Sequence, residues 1–129
     1  MVARQNPSPG LASNPGKKIT IEPFAGTVTV TANGATIASS TRAKLLTESP
    51  YPPIVYVPFG DINFAELERT DLSTHCPFKG DASYWNVKPA GAQGKNAMWA
   101  YETPFDEMEA IKDHGAFYPD RVTIDLVAS

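Results

Sequence analysis

Apolar and polar residues alternate through much of the chain, which is the pattern of strands with one buried face. In residues 27–40, TVTVTANGATIASS, Val28 and Val30 face one side and are followed by Asn33 and Gly34. An Asn-Gly pair tolerates the positive φ angles that both central residues of a type I′ turn adopt. The pattern therefore predicts a β-hairpin closed at Asn33 and Gly34.

Several other segments repeat this alternation and predict further strands. Ile19 and Ile21 alternate near the start, and the proline-bounded IVYV predicts a strand rich in β-branched and aromatic residues. DASYWNVKP and NAMWAYE predict two antiparallel neighbours whose aromatic side chains meet across the pair. The final segment, RVTIDLVA, puts Val122, Ile124 and Leu126 on one face.

One short helix is predicted near the end of the chain, over residues 104–114. Thr103 is a typical N-cap, Pro104 suits the first helical position, and acidic residues follow in the first turns. Gly115, directly after His114, is a typical helix stop. Twelve prolines along the chain disfavour longer helices elsewhere.

These elements predict a mainly β domain in which two antiparallel sheets pack over a common core. Residues 1–16 contain three prolines, two glycines and hardly any large apolar side chain, so we expect a flexible N-terminal arm there. Residues 17–129 have the length of one domain.

The charge and hydropathy of the chain exclude some partners. A net charge of −3 disfavours sequence-independent binding to nucleic acid phosphates, so no nucleic acid partner is expected. The sequence has neither an apolar run of about 20 residues nor a secretion signal, which predicts a cytoplasmic protein that does not bind membranes. It makes no prediction of the oligomeric state.

The cysteine and histidine counts disfavour a structural metal. One cysteine cannot form an internal disulfide, and one cysteine with two histidines is too few for a tetrahedral Cys/His zinc site in a monomer. We therefore expect neither a metal nor another cofactor.

The segment THCPFKGDASYW, residues 74–85, holds the single cysteine and has two interpretations. Lys79 lies three positions after Cys76, and a nearby cation lowers the pKa of a thiol, so Cys76 and Lys79 are candidate catalytic residues. His75 is a poor base for this thiol because adjacent strand residues face opposite sides. In the second interpretation Cys76 packs in the core while Lys79 and Gly80 form a turn.

Carboxylates and aromatic residues supply other candidate site residues. Glu48 and Asp61 are candidates for an acid pair or for binding a cation, although both lie beside turn signals, where capping and turn roles are more common. Tyrosines and tryptophans are concentrated after residue 50, and each offers a flat apolar face with a polar tip. A pocket walled by two or three of these rings is therefore a reasonable expectation.

Four segments in order, TRAKLLTESPYPPIVYVPFGDI, THCPFKGDASYW, AMWAYETP and AFYPDRVTI, resemble a bacterial and fungal family catalogued as a domain of unknown function and sometimes labelled nucleotidyltransferase-like. The resemblance extends from Ile19 to Val127. It implies the β-tent fold, two antiparallel sheets meeting at an angle, as in the drug-binding domain of cereblon and in Yippee-type proteins. Those relatives commonly carry paired zinc cysteines, whereas this chain has Cys76 alone, so the implied domain is metal-free.

The positions that match the family motifs include the polar and aromatic side chains that a shared pocket would use. Arg42 together with Lys79 would favour an anionic group on the ligand through charge-assisted hydrogen bonds. The ligand-binding residues predicted in this way are Arg42, Glu48, Tyr56, Asp61, Tyr84, Trp99 and Tyr118.

Three functions remain open at this point. The favoured one is a module that binds a small polar or anionic molecule in an aromatic pocket. The second is an enzyme in which Cys76 is a nucleophile or redox thiol, with Glu48 or Asp61 handling protons; the family label adds nucleotidyl transfer, although the Asp-x-Asp and Gly-Ser motifs common in such enzymes are absent. The third is a structural domain whose motif residues only pack.

Overall fold

The computed structural model describes residues 6–129, and its strands form two antiparallel sheets. This confirms the predicted mainly β fold, while the β-tent grouping stays a prediction. The strands are β1 (Ile19–Pro23), β2 (Gly26–Ala32), β3 (Ala35–Ser40), β4 (Lys44–Glu48), β5 (Ile54–Pro58), β6 (Leu67–Cys76), β7 (Gly80–Val87), β8 (Met98–Ala100), β9 (His114–Phe117) and β10 (Thr123–Ala128). The larger sheet has the order β1-β4-β5-β9-β8-β7-β6, and the smaller one has the order β10-β2-β3.

The predicted hairpin joins β2 and β3. Asn33 and Gly34 have φ angles of 47° and 83°, as the turn requires. The alternation on β2 also holds, since Val28 and Val30 are buried. Local sequence chemistry therefore accounts for this part of the smaller sheet.

Both faces of the larger sheet are covered by apolar side chains. One face packs against β2 and β3 in a first core, to which Val57 of β5 and Trp85 of β7 belong. The opposite face forms a second core, which receives Tyr56 and Tyr84 from the same two strands. Because neighbouring residues of a strand face opposite sides, burial on both sides explains the apolar and aromatic run of β5 and the adjacent Tyr84 and Trp85 of β7.

The short helix predicted within residues 104–114 is present as a 3₁₀ helix, Asp106–Ile111. It is shorter than predicted: Phe105 is its N-cap, and His114 already belongs to β9. The backbone of this segment is kinked at Met108, and Met108 and Ile111 are both buried in the second core. In the part of the chain that the structure describes, no helix is long and apolar enough to span a membrane.

The N-terminal segment lies against the domain from Asn6 onward. Helix α1 (Pro9–Ser13) follows its N-cap Ser8, which is buried and donates a hydrogen bond from Oγ to the carbonyl of Phe78 (3.0 Å). The Gly10 N–H donates to the carbonyl of Pro77 (2.8 Å). The predicted arm, residues 1–16, was inferred from its lack of large apolar side chains, whereas these contacts are polar and use the backbone. Residues 1–5 of that arm lie outside the described residues.

Replacing Gly10 with alanine is expected to loosen the docking of this segment. A Cβ atom at Gly10 would lie 2.6 Å from the carbonyl oxygen of Pro77, and such overpacking costs about 1–3 kcal/mol. Trypsin should then cleave faster after Lys17 or Lys18. Gly16→Ala is the matched control, since a Cβ there meets nothing within 4 Å. Equal cleavage rates for the two variants would contradict the docking.

Candidate functional site

The pairing between β5 and β9 is unusually short. The two strands pair at Val57 with Gly115 and at Pro58 with His114, and the ladder then ends. On their outer sides the same strands remain paired, β5 with β4 and β9 with β8. The larger sheet is therefore open between the beginning of β5 and the end of β9.

A cavity of about 540 Å³ opens at this interruption. Val55 and Phe117, which continued pairing would place opposite each other, line it from the two strands. The smaller sheet contributes residues of β10, and the turn after β4 contributes an aromatic ring and two prolines. The full lining is Leu46, Glu48, Tyr51, Pro52, Pro53, Ile54, Val55, Trp99, Phe117, Tyr118, Pro119, Ile124 and Leu126.

The aromatic wall of the cavity is supported from behind. The rings of Trp99 and Tyr118 have centroids 4.6 Å apart and are tilted by 41°. Trp99 Nε1 donates to Tyr56 Oη (3.4 Å), and Tyr56 is 1% exposed in the second core. Tyr84 Oη bonds Thr74 Oγ1 (2.8 Å). The contacts with Tyr56 and Tyr118 hold the indole of Trp99 in one orientation toward the cavity.

Glu48 is the charged residue of the lining, and two lysines hold it. Lys79 Nζ donates to Oε1 (2.7 Å) and Lys17 Nζ to Oε2 (3.0 Å). Burial opposes the charge of Glu48, but these hydrogen bonds outweigh it and keep the pKa of the carboxyl below its usual value. The cluster of Glu48, Lys17 and Lys79 therefore contains one carboxylate and two ammonium groups.

The phenol groups in the wall of the cavity and in the core behind it stay protonated. Burial raises the pKa of Tyr56 and of Tyr101. Burial and the neighbouring Tyr84 likewise raise the pKa of Tyr118. These hydroxyl groups therefore act as neutral hydrogen-bonding partners and supply no negative charge to a ligand.

The structure divides the predicted ligand-binding residues into two groups. Glu48, Trp99 and Tyr118 line the cavity, with Tyr56 and Tyr84 in the core behind it. Arg42 forms an ion pair with Asp61 (3.0 Å). Arg42 precedes the first residue of β4, whereas Glu48 is the last residue of that strand, and the arginine side chain is 65% exposed. The sequence led us to expect that Arg42 and Lys79 bind one anion together, but the structure places them at separate positions.

The predicted catalytic pair is also arranged differently from the nucleophilic interpretation. Lys79 Nζ donates its hydrogen bond to Glu48. Among residues 6–129, no hydrogen bond joins Lys79 Nζ to the Sγ atom of Cys76. The Lys79 N–H donates to the carbonyl of Cys76 (3.2 Å), which gives the turn that the alternative interpretation predicts. His75 bonds Asp81 (2.8 Å) instead of the thiol. Cys76 is half-buried beside the second core.

Sequence reasoning missed several residues of the site. Lys17 was placed at the border of the predicted arm, and no local signal links it to Glu48. Tyr51 is one of the tyrosines after residue 50 from which a pocket is expected, although it is not among the predicted ligand-binding residues. Within residues 6–129 no three His, Cys, Asp or Glu side chains are grouped to hold a metal ion.

One family model matches residues 20–128, and its description is Domain of unknown function (DUF427). The chain belongs to this family. The resemblance found in the sequence is thereby confirmed, and the description of DUF427 assigns no activity. A search of curated proteins found no match. The matched region includes the lining of the cavity but not α1 or Lys17.

Removing the ammonium of Lys79 should destabilise the fold more than removing the guanidinium of Arg42. The Lys79 side chain is 9% exposed, and breaking a buried ion pair costs about 3–5 kcal/mol, less here because Lys17 still neutralises Glu48. The exposed pair of Arg42 with Asp61 contributes little to stability, because solvent screens surface ion pairs. Urea unfolding of Lys79→Met and Arg42→Met measures the loss in unfolding free energy that each substitution causes. Equal losses for the two variants would contradict the structural role of Lys79.

Glu48 should also contribute to the acid sensitivity of the protein. Its pKa is lower in the folded than in the unfolded chain, where a glutamate titrates near about 4.3. The stabilisation is thus complete above that pH and is lost as the pH falls through the lower folded-state pKa. Glu48→Gln should flatten the fall of the unfolding free energy below about pH 5. Glu22→Gln, at an exposed position of β1, is the control, and identical slopes for the two variants would oppose this role.

Proposed function

We propose that this domain binds a small, largely apolar molecule carrying an aromatic ring, in the cavity between β5 and β9. The observation that carries the proposal is the interrupted ladder, which leaves a cavity of about 540 Å³ with a single charged group in its lining. Binding sites for small molecules are typically concave, apolar and supplied with few polar groups.

Exposed apolar side chains at the mouth of the cavity support the proposal. Tyr51, Tyr118 and Leu126 are 61%, 37% and 48% exposed and all belong to the lining. Contiguous exposed apolar surface is unfavourable in water and is typical of binding sites. A ligand seated in the cavity would cover part of each of these side chains.

The preformed aromatic wall is a second supporting observation. Trp99 is fixed by Tyr56 and Tyr118, so a flat ligand would stack without first ordering a mobile ring. A preorganised wall reduces the entropy that binding loses. The offset and edge-to-face contacts available there favour an aromatic over an aliphatic ligand.

The charge of the lining favours a neutral or positively charged ligand over the anionic one that the sequence predicts. The lining contains the carboxylate of Glu48 but neither of its lysine partners, so an anion entering the cavity would lose water without meeting a cationic lining residue, while Arg42 is engaged with Asp61. The enzyme hypothesis has less support, because Lys79, the predicted activator of Cys76, bonds Glu48.

Benzyl alcohol is a suitable neutral probe for the proposed site. In nitrogen-15 NMR spectra we expect it to shift the indole signal of Trp99 and to leave that of Trp85, which packs in the first core, unchanged. Leu126→Trp should fill the mouth of the cavity and abolish the shift. Leu72→Trp, at a similarly exposed leucine of β6, is the control and should retain it. A Trp99 signal insensitive to the probe would contradict the proposal.

A further inference from the structure

We infer that the ligand of this cavity is an organic ammonium ion, which binds the carboxylate of Glu48 in exchange for Lys17. The inference rests on the proposed function and assigns the chemical class of its ligand. It starts from Glu48, the charged residue of a lining that otherwise consists of aromatic, aliphatic and proline side chains.

The two lysines that hold Glu48 differ in how firmly they are placed. Lys79 is 9% exposed and belongs to the turn that joins β6 to β7. Lys17 is 20% exposed and lies before β1, on the segment that connects α1 to the sheet. Releasing Lys79 would leave a charge in a buried position, whereas Lys17 can turn into water from the surface. Lys17 is therefore the exchangeable partner.

The ammonium group of Lys17 shows which kind of ligand group the carboxylate of Glu48 can bind. Its ammonium lies 3.0 Å from Glu48 Oε2, 5.6 Å from the ring centre of Tyr51 and 5.1 Å from that of Phe78. A cation between a carboxylate and aromatic faces combines an ion pair with cation–π attraction. Tyr51 and Glu48 both line the cavity, so a ligand ammonium can reach two of the groups that bind Lys17.

The cavity extends this environment on its other side. Trp99 and Tyr118 add two more rings to the lining, and tryptophan is the strongest cation–π partner among the side chains. An alkylammonium or benzylammonium ion would place its charge at Glu48 and its apolar part against these rings. Lys17, which approaches from the N-terminal segment, uses Tyr51 and Phe78 instead.

The exchange is balanced in charge. One ammonium leaves Glu48 as another arrives, so the carboxylate keeps two cationic partners and no proton is transferred. A neutral ligand would leave Lys17 in place and gain no ion pair. An anion would meet no cationic residue in the lining, because Lys17 and Lys79 are not part of it. The site should therefore rank ligands by charge, with cations first.

Three probes that share a benzyl or phenyl ring and differ in charge test this ranking. Benzylammonium, benzyl alcohol and benzoate are titrated separately while the Trp99 indole signal is followed by NMR. We expect benzylammonium to bind about tenfold more tightly than benzyl alcohol, and benzoate to bind most weakly. The signal of Trp85 serves as the internal reference.

Lys17→Met tests the exchange itself, because it removes the competing ammonium and keeps an unbranched apolar side chain. We expect it to tighten benzylammonium binding by roughly 3- to 10-fold and to leave benzyl alcohol binding unchanged. Lys18→Met is the matched control: it also removes one lysine charge, from the exposed neighbouring position, and should change neither affinity.

The outcomes separate this inference from the proposed function. Equal affinities for the three probes, or a benzylammonium affinity that Lys17→Met leaves unchanged or weakens, would overturn the ammonium exchange while benzyl alcohol binding still supports the cavity as a ligand site. If no probe shifts the Trp99 signal, both the inference and the proposed function are wrong.

Discussion

Two residue pairs join β5 to β9, and the candidate site depends on this short ladder. A full ladder would bring Val55 against Phe117 and close the larger sheet. Because each strand keeps its other neighbour, the sheet tolerates the gap without losing either strand. The cost of the missing pairs is local, while the two cores on either face of the sheet supply the stability that holds the gap open.

The charges of the site follow from the same arrangement. Glu48 ends β4 where the sheet opens, so its carboxylate is partly withdrawn from water and needs cationic partners. One partner comes from the turn between β6 and β7 and the other from the segment before β1, and a hydrogen bond from Ser8 Oγ to the carbonyl of Phe78 links these two segments. A single carboxylate thus connects the cavity with the packing of the N-terminal segment.

Some of this architecture could be predicted from the sequence because it depends on neighbouring residues. Asn33 and Gly34 form their hairpin through their own φ preferences, and the alternation around Val28 reflects one buried face. The opening at Val55 could not be predicted, since a residue that lines a gap has the same apolar pattern as one in a closed sheet. Lys17 and Glu48 are separated by 31 positions, and only the folded chain brings them together.

Lys17 lies outside the part of the chain that the family model covers. The family region, residues 20–128, contains both sheets and the walls of the cavity, whereas Lys17 precedes it. A substitution at Lys17 would alter the electrostatic potential at Glu48 without replacing a buried residue of either core. In the ligand site proposed above, such a change would adjust the charge preference of the cavity while the sheets that form its walls stay the same.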